Sequence, residues 1–343
     1  MKNLPVLIAC VVSLSIVVLP DALKAQGNFT QVAQSGMQYL KIGVDAAMVG
    51  RGEAGISYVK GVPAIFWNPA GLADLQGKEF YFSHNLWIAD ISMDAVALGL
   101  NMGNNGAFAL SAIWMDYGKL NATAVANSVA GANQLGYVDE GTFSPTDLAI
   151  GLAYSLRISE QFSVGGQVRF LYENYGQNTI VTQSGASQNV SNIVQTFSFD
   201  MGTLYYPGFK SFAFAMSIQN FSPAIKYQEE AFSTPLTFKL GVSMNMLDLL
   251  EEKPKSSLLL AVDAIHPRDY SERLNVGLEY SYLGLFQVRA GYRSNYDVGN
   301  YTTGVGIRYS FSNETQINLD VSYMINATGI FSNPLQITAG LMF

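Results

Sequence analysis

Cysteine and histidine are almost missing from this chain: one Cys and two His in 343 residues. The cysteine, Cys10, falls inside an N-terminal apolar run that reads as an export signal, so the processed chain is expected to carry no thiol. That excludes disulfides, thiolate metal sites and cysteine nucleophiles. His84 and His266 are far apart in sequence, and neither has the neighbours needed for catalysis. Asp263 and His266 are three residues apart, which on a strand puts them on opposite faces, so no nucleophile, base and orienting group can be assembled. No phosphate loop or dinucleotide fingerprint is present. No enzyme activity, metal or cofactor is expected.

Charge is also scarce. Only 13% of residues are Asp, Glu, Lys or Arg, where soluble domains average about 25%. The net formal charge is -7. Removing residues 1–25 takes two of the 19 basic and one of the 26 acidic residues and leaves -8. An acidic chain without a basic cluster is not expected to bind nucleic acid. After the first 25 residues no apolar run approaches 18, so no transmembrane helix is expected. Lys2, the apolar stretch from Leu4 to Leu19 and the small Ala25 make 1–25 a secretory signal peptide.

What the chain has instead is alternation. In 300–312, Tyr301, Thr303, Val305, Ile307, Tyr309 and Phe311 share one face, while Thr302, Gly304, Gly306, Arg308 and Ser310 share the other. The polar face throughout is built from Gly, Ser, Thr, Asn and Gln, which suit a barrel lumen better than a water-facing exterior. With 20 Phe, 19 Tyr and 3 Trp, there is ample supply for aromatic girdles at the two membrane interfaces. The period of two predicts strands near 79–87, 90–102, 105–118, 145–157, 161–175, 193–206, 210–221, 235–247, 256–266, 272–283, 285–295, 300–312, 315–326 and 335–343. The fold class expected is all-β: an antiparallel transmembrane β-barrel of about fourteen strands in a Gram-negative outer membrane, with lipid as its outer solvent. Connections alternate between short and long, as periplasmic turns and outer loops do, apart from a short first hairpin near Ile88-Ala89 and a longer eighth connection around Glu251 to Lys255. Phe343, on the lipid-facing register of the last strand, is expected to act as a C-terminal assembly signal.

Residues 26–78 lack this period and are punctuated by Gly and Pro. They are expected to form a separate N-terminal hatch that plugs the lumen of a barrel spanning 79–343. Within them stand Tyr39-Leu40-Lys41-Ile42-Gly43-Val44, the glycine-rich run around Gly50-Arg51-Gly52-Glu53, and Phe66-Trp67-Asn68-Pro69-Ala70-Gly71-Leu72. Together with Phe82-Ser83-His84, Trp87-Ile88-Ala89-Asp90 and Met115-Asp116-Tyr117-Gly118, these words resemble the PorV/PorQ family of outer-membrane proteins, itself similar to FadL-type barrels. The resemblance implies a fourteen-stranded barrel whose hatch carries the motif Asn68, Pro69, Ala70, Gly71. It also implies a role in type IX protein secretion, with a translocon or cargo protein as partner; uptake of hydrophobic small molecules is the alternative. Where the family often has Gly-Met-Gly-Gly, this chain has Gly50-Arg51-Gly52-Glu53, two charges that could pair in the lumen.

The alternation sends Arg169, Asp200, Lys239, Glu279, Arg289, Arg293, Arg308 and Asp320 inward, where Lys41, Asp45, Arg51 and Glu53 of the hatch can meet them. They either form a network that seats the plug or stay hydrated in a wet lumen. Phe66 and Trp67 read as packing against the wall, or as aromatic contacts beside a Pro63/Pro69 hinge. On the outer loops, Tyr137, Phe143, Tyr227 and Phe232 stand beside acidic residues, either to grip a partner or to cap the pore.

Overall fold

The computed structural model describes residues 35–125, 137–181, 187–226, 231–250, 255–312, 315–326, 329 and 331–343. Residues 1–25, expected to be an export signal, and Tyr227 lie outside them. Fourteen strands close into one antiparallel barrel: β1 (Lys78–Leu86), β2 (Ser92–Asn101), β3 (Ala107–Asp116), β6 (Thr146–Ser159), β7 (Phe162–Val181), β8 (Ser187–Tyr205), β9 (Ala213–Phe221), β12 (Thr237–Asn245), β13 (Ser256–Pro267), β14 (Arg273–Tyr282), β15 (Phe286–Arg293), β16 (Tyr301–Ser310), β17 (Gln316–Ile325) and β18 (Leu335–Met342). Two small hairpins lie in the connections, β4 (Leu120–Val125) with β5 (Tyr137–Phe143) and β10 (Ile225–Lys226) with β11 (Ala231–Phe232). The barrel closes where β1 pairs with β18, from Glu79↔Met342 to Leu86↔Leu335. Phe343 completes the seam: its N–H donates to the Lys78 carbonyl and its carbonyl accepts from the Lys78 N–H, both at 2.8 Å. Among the described residues no helix is long and apolar enough to cross a membrane; the strands do the crossing, and the protein is an outer-membrane barrel.

The alternation appears as alternating exposure. On β16, Tyr301, Val305, Ile307 and Tyr309 are about half exposed at 54, 56, 47 and 53%, whereas Thr302 is 4% exposed. The outer surface is apolar because lipid is the solvent there, and the strands pair all the way round the closed barrel because lipid offers the backbone no partner. The end carrying Lys78 and Phe343 has the shorter turns and faces the periplasm; the opposite end carries the longer loops.

Two segments read as loops contain more strand than expected. The fifth and sixth barrel strands, expected to stop at 175 and restart at 193, continue as paired backbone to Val181↔Ser187. Beyond the bilayer neither face needs lipid, so the apolar alternation fades while the ladder continues. The register shifts between Asn174 and Gln177, where Gly176 takes a positive φ of 81° and its N–H donates to Asn174 Oδ1 at 3.0 Å. Likewise, the long 120–144 connection contains the β4–β5 hairpin, running from Leu120↔Phe143 to Val125↔Tyr137.

Residues 35–77 run inside the barrel and form no barrel strand. They begin among the outer loops, where Ser35 bridges Ser233, and end at the periplasmic rim, where Asn101 donates its N–H to the Gly77 carbonyl at 2.9 Å. Between lie a short helix, α1 (Ala46–Gly50), and 3-10 turns at Gln38–Lys41, Val62–Phe66 and Pro69–Asp74. Each later start is set by sequence. Asp45 caps α1 by accepting from the Met48 N–H at 3.1 Å; Pro63 sits in the first turn of its 3-10 segment, and Asn68 caps the next by accepting from the Ala70 N–H.

The segment packs differently on its two sides. Toward β2, β3 and β6–β9 it buries Val62, Ile65, Leu72, Met48, Ile56 and Trp67 against a wall of small residues such as Ala95, Ala97, Ala109, Ala153 and Ala215. Toward β14–β16 the wall drops to glycine. A Cβ on Gly291 would come within 2.0 Å of the Gly52 nitrogen, and one on Gly277 within 2.4 Å of the Arg51 carbonyl oxygen. These contacts are backbone against backbone, so neither side can yield by rotating a side chain. Gly291→Ala is therefore expected to destabilise the folded barrel by about 1–3 kcal/mol, read as a lower denaturant midpoint in detergent. Gly340→Ala, whose new Cβ meets nothing closer than 3.7 Å, is expected to leave the midpoint unchanged.

Candidate functional site

The lumen, filled by residues 35–77, is the place where charge and polarity concentrate. The strongest cluster joins α1 to three strands. Arg51, next after α1, donates from Nη1 to Glu279 Oε2 at 2.5 Å; Arg289 Nε donates to the same oxygen at 2.6 Å, and Arg289 Nη1 to Asp320 Oδ1 at 2.6 Å. Arg51, Glu279 and Arg289 are almost wholly buried, with side-chain exposures of 4, 4 and 2%. Two cations against two carboxylates leave the cluster neutral, which is how charges persist away from water.

Further pairs surround it. Arg293 meets Glu53 at 3.5 Å and Arg169 meets Asp200 at 2.8 Å. At the outer end, Lys41 and the Ser35 hydroxyl both donate to Asp269 Oδ2. Burial pushes the Asp269 carboxyl up, but the hydrogen bonds from Lys41 and Ser35 outweigh it and hold the group below the ordinary carboxylate range. Burial pushes Lys41 below the usual lysine value. A stack of cations and rings continues from there: Lys41 over Tyr270 at 4.8 Å, Arg273 over Tyr270 at 4.5 Å and over Tyr296 at 4.0 Å, and Arg293 over Tyr296 at 3.7 Å.

The remaining residues singled out from sequence fall as follows. Asp45 makes no ion pair among the described residues; it caps α1 and accepts from the Tyr81 hydroxyl at 3.1 Å. Lys239 likewise has no carboxylate partner and lies 5.0 Å from the Trp67 ring centroid. Arg308 is exposed at the wall of a cavity of about 260 Å³ on the periplasmic side and forms no ion pair among the described residues. Of the two alternatives left open by the sequence, Arg308 takes the exposed one, and Arg289 is the arginine that meets both Glu279 and Asp320.

Asn68, fully buried, donates from Nδ2 to the Ile56 and Thr203 carbonyls at 3.0 and 3.1 Å. Ala70 offers its carbonyl to the Ser155 hydroxyl. Pro69 and Gly71 pack against the wall and the Val59 carbonyl respectively. Phe66 packs 5.9 Å from Tyr81, and the Phe66 and Trp67 carbonyls accept from Gln219 and Ser217. At the outer loops Tyr137 is exposed, but Phe143 is half-buried, and Phe232 packs against Gly36 and the N-terminal core. Phe232 is held by the N-terminal segment instead of standing free.

Sequence reading missed several anchors. Asp263, 0% exposed, accepts from the Gly55 and Ile56 N–H groups at 2.8 and 3.1 Å; Glu79 accepts from Val62 N–H at 2.7 Å. Gln336 donates to the Gly43 and Val44 carbonyls at 3.1 and 2.5 Å. Their inward register was legible, but their partners are backbone groups of an irregular segment, which leave no residue-type signal. His266 is exposed on the opposite face from Asp263, 3.3 Å from Glu272.

A closed fourteen-stranded antiparallel barrel with an occupied, charge-lined lumen defines the class, an outer-membrane β-barrel protein. A family model described as type IX secretion system membrane protein PorP/SprF matches residues 123–342, and the chain belongs to that family. The match begins beyond the words at 39–118 that resemble PorV/PorQ. No curated protein sequence matches the chain. Among solved structures it is similar to the Pseudomonas putida toluene transporter TodX (11% identity, 87% of this chain and 97% of that one covered, TM-score 0.57). It is also similar to the Ralstonia pickettii toluene transporter TbuX (12%, 87% and 97%, 0.55) and a Pseudomonas aeruginosa FadL homologue (12%, 88% and 98%, 0.53). At such identities the likeness is one of fold.

Removing Glu279 would leave Arg51 and Arg289 buried without their shared acceptor. Glu279→Ala is expected to cost about 3–5 kcal/mol of stability or, short of unfolding, to raise single-channel conductance in planar bilayers. Arg308→Ala is expected to change neither by a measurable amount. Equal effects from the two substitutions would show that the buried cluster does not seat the segment.

Proposed function

We propose that this barrel is a non-enzymatic accessory component of type IX protein secretion, similar to the PorV/PorQ type, that engages a translocon or cargo protein at its outer and lateral surfaces while residues 35–77 serve as a hatch. The family match over residues 123–342 carries this reading. The lumen supports it. Its larger cavity is walled by Asp45, Arg51, Glu79, Glu279, Arg289 and Arg308, and a charged chamber is a poor path for an apolar solute, whose sites are predominantly hydrophobic. The hatch is also fastened to strands all round the barrel, so the surfaces free to work are outside it.

Uptake of hydrophobic small molecules is the second reading, and the fold shared with the two toluene transporters favours it. One deletion strain separates the two. Loss of the protein is expected to deplete specific proteins from the culture medium while growth on fatty acids or aromatic hydrocarbons is unaffected. An unchanged secreted proteome with impaired hydrocarbon growth would reverse the assignment.

A further inference from the structure

The lipid-facing wall carries a polar pair. Leaving aside the two residues at either end of each barrel strand, the outward side chains among the described residues include no Lys, Arg, Asp, Glu or His other than His84 and Asp94. These two stand directly opposite each other on β1 and β2. His84 Nδ1 lies 2.6 Å from Asp94 Oδ1, and the side chains are 38 and 18% exposed. Apolar groups enclose them. Phe82 and Leu86 flank His84 along β1, Ile337 faces it from β18, and beyond Asp94 come Val96 on its own strand and Trp114 on β3.

Hydrocarbon solvates such groups poorly, so an ionisable side chain in the membrane-facing part of a protein marks a functional contact by default. A path through the barrel is not involved, since the pair faces away from the lumen. Nor do β1 and β2 depend on it for their pairing, which runs without a break from Lys78↔Leu100 to Leu86↔Ser92.

The chemistry of the pair selects its counterpart. An ionised carboxylate only accepts hydrogen bonds, so the group that meets Asp94 is a cation or a donor. An anionic lipid headgroup fits badly, because no Lys or Arg occurs between Lys78 and Lys119 or after Arg308 to receive it. The surroundings suit a protein. Of the chain's three tryptophans, Trp67 is buried in the lumen and the other two, Trp87 and Trp114, lie on this side of the barrel; tryptophan is enriched among the residues that dominate protein interfaces. The outer rim is also low here. Trp87 N–H donates to the Ile91 carbonyl at 2.9 Å and closes the hairpin, whereas the next outer connection runs over residues 117–145.

We propose that the outward face of β18, β1, β2 and β3 around His84 and Asp94 is a lateral docking surface for the wall of another membrane protein, which presents a basic side chain to Asp94. This deepens the reading of the barrel as a component that works beside a translocon, and it rests on that reading for the existence of a partner. With the partner's Lys or Arg in place, the Asp94 carboxylate lies between two donors, a contact that the rest of the lipid-facing wall does not offer.

The test places a photo-crosslinking amino acid at Val96, beside Asp94, in the full chain in its native outer membrane, with a probe at Val242 on β12 as the far-wall control. The Val96 probe is expected to give an adduct whose cross-linked peptide, identified by mass spectrometry, belongs to a membrane-spanning segment of a different protein and holds a Lys or Arg. Val242 is expected to give none. Asp94→Leu is expected to lower the yield of this adduct by about tenfold or more, since it removes one partner of a desolvated charge pair. The purified Asp94→Leu barrel is expected to keep the wild-type denaturant midpoint, because leucine suits a lipid-facing position; a lower midpoint with an undiminished adduct would mark the pair as a staple between strands and overturn the surface. Should Asp94→Leu fail to fold, Asp94→Asn decides alone. Adducts only to lipid or to a second copy of this chain would also overturn it. Secreted proteins lost on deletion, with no adduct at Val96, would overturn this surface and leave the secretion reading standing; a mapped adduct with an unchanged secreted proteome would do the reverse.

Discussion

Hydrocarbon gives a peptide group nothing to bond to. Every main-chain N–H and C=O at membrane depth must find its partner within the protein, and a sheet can satisfy this only by closing on itself. Here closure falls between β1 and β18 and is finished by the paired amides of Lys78 and Phe343. The rest of the architecture follows. A fourteen-stranded cylinder encloses more space than its own inward side chains fill, because smaller barrels of about eight strands are the ones that pack solid. That space is taken by a segment of the same chain.

The wall is adapted to that segment strand by strand. Along one half of the barrel many inward positions are alanines, and the segment supplies the bulk, burying Val62, Ile65, Leu72 and Trp67 against them. Along the other half glycine, polar and charged residues predominate at inward positions, and the segment comes so near the wall at Gly52 and Arg51 that its backbone touches Gly291 and Gly277. Arg51 can reach Glu279 because those glycines let it approach. The apolar half resists withdrawal through burial. The polar half fixes register, since a shift of the segment would leave Glu279, Asp263 and Gln336 facing the wrong groups.

How much of this was legible in the sequence depended on whether a regular period carried the information. Strand number and the inward and outward faces rest on a period of two, and the sequence shows it directly. Where the period faded above the membrane, the β7–β8 ladder continued unseen, because pairing there rests on backbone bonds indifferent to side-chain type. The lumenal charges were readable as a set, but not as pairs. Arg289 and Arg308 look alike in sequence, and only position along the barrel gives one of them both carboxylates. The caps at Asp45 and Asn68 were present as residues, but Asp45 looked like a charge awaiting a partner when its partner is the start of α1.

The distribution of anchors bears on what the protein can do. Hydrogen bonds and ion pairs to residues 35–77 come from β1, β2, β6, β8, β9, β12–β16 and β18, and from the outer connection that carries Asp269. Opening a path by withdrawing the segment would break neutral charge clusters and backbone bonds in one step, exposing groups that only the opposite wall now satisfies. A solute binding weakly to an apolar pocket cannot supply that free energy, because it can shift an equilibrium by no more than its difference in affinity for the two states. The same limit holds for a protein partner, so the fastening of the lumen sets the free energy that any opening has to supply, whatever binds.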